Sequence, residues 1–174
     1  IRYVQFKQMI EQVARALWAQ GIRQGDRVTI AMPNCPQAVA MFYALNRVGA
    51  LANMVHPLSA SGEYKFFLNF SKSKMILTID QFYPKVAEIR DSLDKPVKVL
   101  ITRISDAFPF PLSVGVHIAA ERKNPKIPAN ADVIYWKQFL RGASAVEELP
   151  VPSTTCDDAA AILYSGGTTG TMKG

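Results

Sequence analysis

The residues best suited to chemistry stand together at positions 164–174, in the order Tyr-Ser-Gly-Gly-Thr-Thr-Gly-Thr-Met-Lys-Gly. Glycine lacks the Cβ atom that blocks positive φ angles and the close approach of a ligand to the backbone. The hydroxyl side chains and the lysine add hydrogen-bond donors and one positive charge. Successive amides in such a loop bind an anion in one concavity, and each hydrogen bond to a charged acceptor contributes roughly 1.5–3 kcal/mol. The composition therefore predicts a nucleotide-phosphate loop with these contact residues: Ser165, Gly166, Gly167, Thr168, Thr169, Gly170 and Lys173.

The spacing of this loop differs from the common nucleotide-binding motifs. The Walker A pattern, G-x-x-x-x-G-K-[ST], requires a glycine where counting on from Gly166 or Gly167 reaches Thr171 or Met172. No Ser or Thr follows Lys173, and the G-x-G-x-x-G pattern fails as well. Composition alone also allows a flexible linker. A linker, however, needs neither a lysine three residues after its last loop glycine nor a strand that runs directly into it.

The elements upstream must bring this loop to a ligand-binding edge. An apolar run at residues 159–163 predicts a buried strand. Before it, helical and strand patterns alternate, and these are the predicted elements: helices at 3–20, 36–48, 59 or 61 to 70, and 83–93; strands at 28–32, 51–55, 75–79 and 97–101. Asn34 is the predicted N-cap of the second helix, and Ser59 or Ser61 that of the third. The alternation predicts an α/β fold, a mostly parallel sheet with helices on both faces, in which ligands bind at the carboxyl ends of the strands.

Residues 102–132 interrupt this alternation. They contain Pro109, Pro111, Pro125 and Pro128 among mixed residues without a clear period, which predicts a long surface excursion. After it, residues 132–140 predict a short helix that docks through its tryptophan.

The bulk composition narrows the class of protein. With 49% apolar and 20% charged residues, the chain is typical of a globular protein. No apolar run approaches the roughly 20 residues that span a bilayer, and no signal peptide is visible, so we expect a cytoplasmic location. Cys35 and Cys156 lack metal or redox spacing, which indicates small core residues in a reducing compartment. The chain starts at Ile1 and stops inside the loop motif, so we expect it to be a piece of a longer protein.

Other candidate residues carry weaker arguments. The net charge of +6 would suit a nucleic-acid-binding module, but the cations are spread along the chain, which favours a solvated face and no nucleic-acid partner. Asp157 and Asp158 are adjacent, so on a strand their carboxylates point to opposite faces; we interpret them as strand-start residues. His56 lies at a strand end where ligands bind, yet it has no partner in the sequence pattern, and we interpret it as structural.

The loop sequence YSGGTTGTMKG resembles the signature of the adenylate-forming (AMP-binding) superfamily, Y-[ST]-[SG]-G-T-T-G-x-P-K-G. This superfamily includes acyl-CoA synthetases, peptide-synthetase adenylation domains and luciferases. One departure is Met172, where proline is usual. Residues 25–34, GDRVTIAMPN, resemble the family's GDRVAI…PN segment, and residues 44–50 with 55–57 resemble its L+AGA…NP segment.

The resemblance implies that residues 1–174 are the N-terminal portion of the large domain of an acyl-CoA synthetase, an acid–thiol ligase of the fatty-acid type. Such an enzyme activates a carboxylic acid with ATP and Mg²⁺ to an acyl-adenylate and transfers the acyl group to coenzyme A. The loop at 164–174 would hold the β- and γ-phosphates. In this family the adenine pocket, the acidic Mg²⁺ ligand and the C-terminal lysine of the adenylation step lie beyond the signature. We therefore expect no catalytic residue and no metal ligand in this chain, and we expect the chain alone to be inactive.

Three alternatives remain. An amino-acid or aryl-acid adenylation domain is the nearest one; the excursion at 102–132, longer than the compact linker of peptide-synthetase domains, favours the fatty-acid type. A degenerate P-loop NTPase or kinase is disfavoured because the hydroxyl that normally follows the lysine holds Mg²⁺. A basic nucleic-acid-binding module is the third. Finally, apolar surface that the rest of the polypeptide would cover is expected to make the chain self-associate.

Overall fold

A parallel sheet lies at the centre of the structure, a computed structural model that describes residues 2–107, 127–128 and 133–165. Its strands are β1 (Arg27–Ala31), β2 (Leu51–Met54), β3 (Met75–Ile79), β4 (Lys98–Thr102), β5 (Val133–Tyr135) and β6 (Ala161–Leu163). They are hydrogen-bonded in the order β5-β4-β3-β1-β2-β6, and every pair is parallel. Parallel pairing puts all of the carboxyl ends along one edge of the sheet.

Helices cover both faces of the sheet, as the sequence predicts. On one face lie α1 (Tyr3–Ala19), α2 (Pro36–Arg47) and α5 (Trp136–Arg141). On the other lie α3 (Ser61–Ser71) and α4 (Tyr83–Ile89). The buried apolar residues accordingly form two clusters, one on each side of the sheet. The predicted α/β fold with helices on both faces is confirmed.

Helix α1 buries the apolar stripe that its sequence spacing predicts. Apolar residues spaced by four, three and four positions fall on one side of a helix, and there Val13 and Leu17 are fully buried while Phe6 and Ile10 pack against the core. The chain then leaves the helix through Gly21, whose φ of 86° is one that only glycine adopts without strain.

Side chains on the two faces of the sheet differ in chemistry. Positions of β1 to β3 that face α1 and α2 are apolar, whereas the face under α3 buries polar side chains as well. The register pairs Thr29 of β1 with Asn53 of β2, and Asn53 with Ile162 of β6. Two polar residues of neighbouring strands therefore lie side by side beneath α3.

Most element boundaries differ from the predicted ones by a single residue, and the differences at β5, α4 and β4 bear on the interpretation of the chain. The predicted helix at 132–140 is wrong at its start: Val133–Tyr135 pair with β4, and the helix begins at Trp136, which is buried as expected. Helix α4 ends at Ile89 and continues as the 3₁₀ turn Arg90–Ser92. Strand β4 extends to Thr102, the first residue of the predicted excursion, and most of that excursion lies outside the described residues.

Several expectations about single residues are wrong. The N-cap of α2 is Cys35 rather than Asn34, and the N-cap of α3 is Ala60 rather than either serine. At α3 the Glu63 carboxylate accepts the Ala60 N–H at 2.9 Å, which is the half of a capping box that needs no hydroxyl at the N-cap. Cys35 is half-buried against the core, but Cys156 is exposed, not a core residue.

The strand before the loop is more exposed than predicted. The run 159–163 was expected to be buried, but β6 is an edge strand of the described sheet and Leu163 is 70% exposed. Asp157 and Asp158 do not start that strand. They lie in an exposed turn, where the Asp158 carboxylate accepts the Thr155 N–H at 2.6 Å.

Candidate phosphate-binding site

The carboxyl end of β6 leads directly into the predicted loop. Strand β6 pairs with β2, so that Ala161 lies beside Ala52 and Leu163 beside Met54. Among the predicted contact residues, the structure describes Ser165, which is exposed and follows one residue after the strand. The others, at positions 166–170 and 173, lie outside the described residues, and their phosphate contacts stay a prediction.

Tyr164, between β6 and Ser165, is held from two sides. Its hydroxyl donates a hydrogen bond of 2.7 Å to Asn53 Oδ1. Its ring lies 4.2 Å, centroid to centroid, from Phe67 and 6.2 Å from Phe70, both on α3. Burial raises the pKa of Tyr164 above its usual 10.0, so the hydroxyl is a proton donor at neutral pH.

Asn53 belongs to a buried hydrogen-bond network under α3. Its amide nitrogen donates to Thr29 Oγ1 at 2.8 Å and to Ser71 Oγ at 3.1 Å. The Thr29 hydroxyl donates to Ser73 Oγ at 2.8 Å, and the Ser71 and Ser73 oxygens are 2.7 Å apart. We call these residues, with Tyr164, the Asn53 network.

One arrangement of protons satisfies the whole Asn53 network. Ser71 donates to the Phe67 carbonyl at 2.7 Å, so the proton between the two serines comes from Ser73. The Ser73 oxygen then accepts from Thr29, and both protons of the amide nitrogen are used. This leaves the carbonyl oxygen of Asn53 facing Tyr164. The orientation of the amide is therefore set by the network, before Tyr164 is considered.

Sequence reasoning missed the Asn53 network. Its hydrogen-bonded pairs are separated by up to 111 positions, and none of its residues belongs to the loop motif except the first tyrosine. The usable signal was an asparagine inside the otherwise apolar strand 51–54. A buried asparagine needs hydrogen-bond partners, so its presence in a central strand predicts a polar cluster even where the partners are unknown.

His56 follows β2 and takes part in its own turn. It is exposed, and its Nδ1 accepts the Leu58 N–H at 3.2 Å. The same turn is held to α3 and α4, because the Tyr64 hydroxyl donates to Pro57 O at 3.0 Å and Lys85 Nζ to Ser59 O at 2.7 Å. These contacts agree with the structural interpretation of His56.

A second charged group lies along the same edge, at the ends of β3 and β4. Asp80 is 3% exposed, and Arg103 Nε stands 4.0 Å from its carboxylate. Burial raises the pKa of Asp80; the Gln81 N–H and the Arg103 guanidinium oppose this rise. Two strands, β1 and β2, separate β3 from β6, so this group is roughly 14 Å along the sheet from the start of the loop.

Residues 2–107, 127–128 and 133–165 contain neither a metal-binding cluster nor a membrane-spanning helix. No group of three or more His, Cys, Asp or Glu side chains in these ranges is arranged to hold a metal ion. Within the same ranges, no helix has both the length and the apolar character needed to cross a bilayer.

Comparison with known proteins decides the family. The sequence pattern of the AMP-binding enzyme family matches residues 1–174. The chain belongs to that family. Membership confirms the resemblance drawn from the loop signature and sets aside the degenerate P-loop kinase.

The curated relatives of this AMP-binding chain are longer enzymes. It is 28% identical over 165 residues to a long-chain-fatty-acid–CoA ligase of Bacillus subtilis (strain 168), covering 94% of this chain and 29% of that protein. It is 27% identical over 172 residues to a crotonobetaine/carnitine–CoA ligase of Salmonella agona, covering 99% of this chain and 29% of that protein. The chain thus spans less than a third of the length of these relatives.

Solved structures share the fold. An anthranilate CoA ligase in complex with anthranoyl-AMP matches with a TM-score of 0.75 at 19% identity, over 99% of this chain and 28% of that one. The inhibitor-bound N-terminal domain of FACL13 from Mycobacterium tuberculosis matches with a TM-score of 0.61 at 25% identity, over 99% of this chain and 36% of that one. The chain therefore shares its overall fold with parts of these two proteins.

Proposed function

We propose that residues 1–174 are the N-terminal portion of the large domain of an acyl-CoA ligase. In the proposed reaction a carboxylate attacks the α-phosphate of ATP, which gives an acyl-adenylate and releases pyrophosphate. The thiol of coenzyme A then displaces AMP and forms the thioester. The family match over the chain and the CoA ligases among its relatives support this proposal.

The observation that carries the proposal is the point at which the loop leaves the sheet. Ser165 follows β6 at the carboxyl edge, where ligands of open α/β sheets bind, and the preceding tyrosine donates a hydrogen bond to the buried Asn53. We propose that the amides and hydroxyls of residues 165–170 bind the β- and γ-phosphates of ATP. Lys173 would neutralise the charge that accumulates on the leaving pyrophosphate.

Mg²⁺ is proposed to accompany ATP and to neutralise part of its phosphate charge. The described residues offer no cluster of three ligands for it, so we assign it no ligand in this chain. For the acid, we propose an aliphatic carboxylic acid of the fatty-acid type, since the relatives named above act on long-chain fatty acids and on crotonobetaine or carnitine. A cytoplasmic location is part of the same proposal.

ATP–pyrophosphate exchange by the full-length protein tests this function. We expect exchange that depends on a fatty acid and formation of a thioester when coenzyme A is added. Exchange with amino acids or aryl acids alone would move the assignment to the corresponding adenylation enzymes. Residues 1–174 by themselves are expected to show no exchange. Turnover by them would contradict the proposal that the catalytic residues lie outside this chain.

A charge substitution tests the role of the loop. Lys173→Ala in the full-length protein is expected to lower the exchange rate sharply, because removing an electrostatic contact to the reacting phosphates costs about a hundredfold or more. Lys95→Ala is the matched control: Lys95 is exposed and precedes β4, so it lies at the opposite edge of the sheet. Equal effects of the two substitutions would contradict the role proposed for the loop.

A further inference from the structure

We propose that Tyr164 is a positioning residue for nucleotide binding. Its hydroxyl, bonded to Asn53, and its ring, packed on Phe67, set the direction in which the backbone leaves β6. This inference rests on the proposed function, because it concerns how the loop is presented to the outer phosphates of ATP. Tyr164 acts through the backbone of Ser165 and the residues that follow.

The end of β6 is held to the described fold through the side chain of Tyr164 as well as through its pairing with β2. The strand has three residues, and in the described sheet it pairs with β2 alone. Its last residue, Leu163, is 70% exposed and Ser165 is exposed too. Between these two, the half-buried Tyr164 side chain reaches into the core cluster under α3. Rotation or sliding of the chain at this point would therefore change the Tyr164 contacts.

The acceptor for the Tyr164 hydroxyl, the Asn53 side-chain oxygen, is oriented by contacts that do not involve Tyr164. Both amide protons of Asn53 are engaged by Thr29 and Ser71, so its carbonyl oxygen has one orientation. Asn53 is 0% exposed and sits in a central strand. A rigid acceptor specifies a single position for the Tyr164 hydroxyl. It therefore also specifies the position of the Tyr164 backbone, at the start of the loop. Phosphate binding by convergent amides is sensitive to that position, since a displacement of about 1 Å can cost about a hundredfold.

Tyr164→Phe in the full-length protein tests the inference, because it removes the hydroxyl and keeps the ring. ATP affinity is measured by calorimetric titration with ATP, and the KM for ATP by pyrophosphate exchange. We expect the affinity for ATP to fall about tenfold and the KM for ATP to rise about tenfold. The KM for the acid should stay within about twofold of the wild type. A thermal melt checks that the variant is folded.

Ser73→Ala is the matched control. It breaks the far end of the same buried network, where Thr29 donates to Ser73, without touching Tyr164. If Tyr164 merely stabilised the fold, both variants would lower the melting temperature and neither would alter ATP affinity selectively. We expect a comparable loss of melting temperature for Ser73→Ala with ATP affinity within about twofold of the wild type.

The outcomes separate the inference from the proposed function. ATP affinity of Tyr164→Phe within twofold of the wild type, or an equal loss in Ser73→Ala, overturns the positioning role. A wild-type protein that binds ATP but shows no exchange with any acid overturns the ligase assignment, while the affinity ratio of the two variants still decides the role of Tyr164. A wild-type protein that does not bind ATP overturns both.

Discussion

Replacing Asn53 with alanine is expected to destabilise the edge of the sheet that carries the loop. The side chain makes three hydrogen bonds inside the protein, with Tyr164, Thr29 and Ser71. At about 1 kcal/mol net for each, their loss costs about 3 kcal/mol, and groups left buried without a partner add to this. Opening of β2 and β6 should then become about a hundredfold more frequent.

Hydrogen exchange followed by mass spectrometry measures this opening locally, peptide by peptide. Peptides that cover β2 and β6 should exchange about a hundredfold faster in Asn53→Ala, and peptides from α1 much less so. Asn46→Ala is the control: this half-buried asparagine on α2 donates one bond, to Phe42 O at 2.9 Å. If the two variants accelerate exchange in β2 and β6 equally, the account of the Asn53 network is wrong.

Three further predictions concern other parts of the molecule. Because burial raises the pKa of Asp80 above 3.8, the folded state holds this proton more tightly; the resulting stability is full below that pH and is lost as the pH rises through the raised pKa. In thermal melts at several pH values, Asp80→Asn should weaken the fall of melting temperature with rising pH. An unchanged pH dependence would exclude Asp80 as its source. Gly49→Ala should cost about 1–3 kcal/mol in chemical denaturation, since Gly49 has φ +72° and an added Cβ would come within 2.9 Å of Pro152 Cβ. Gly62→Ala on α3, where a Cβ meets nothing within 4 Å, should be neutral or stabilising. Residues 1–174 alone should self-associate through β6, which lies at the edge of the described sheet, and Leu163→Lys should reduce the sedimentation coefficient; a monomer without the substitution contradicts this.

Local sequence pattern was sufficient for most of the fold. Strand β3 was predicted residue for residue, because the run at 75–79 is apolar except for the β-branched Thr78 and is bounded by polar residues at both ends. Strand β5 was missed since its three residues carry too short a pattern to distinguish from the helix that follows. What makes Val133–Tyr135 a strand is pairing with β4, a contact between segments about thirty residues apart.

The same division applies to the candidate site. The loop motif was recognisable because its glycines, hydroxyls and lysine are neighbours in sequence. The burial of β6 was predicted wrongly, since apolar composition does not say whether a strand lies inside the sheet or at its edge. The residues that hold the loop's first tyrosine were not predicted at all.

The sequence by itself determined the alternation of helices and strands and the buried faces of most of them, and it predicts a phosphate-binding loop in the last residues. These follow from side-chain chemistry and from spacing within about ten residues. Tertiary structure alone decided that β6 lies beside β2, and so that Tyr164 meets Asn53 across 111 positions. Such a contact depends on which surfaces pack best once the helices and strands assemble, and that choice belongs to the whole chain rather than to any segment.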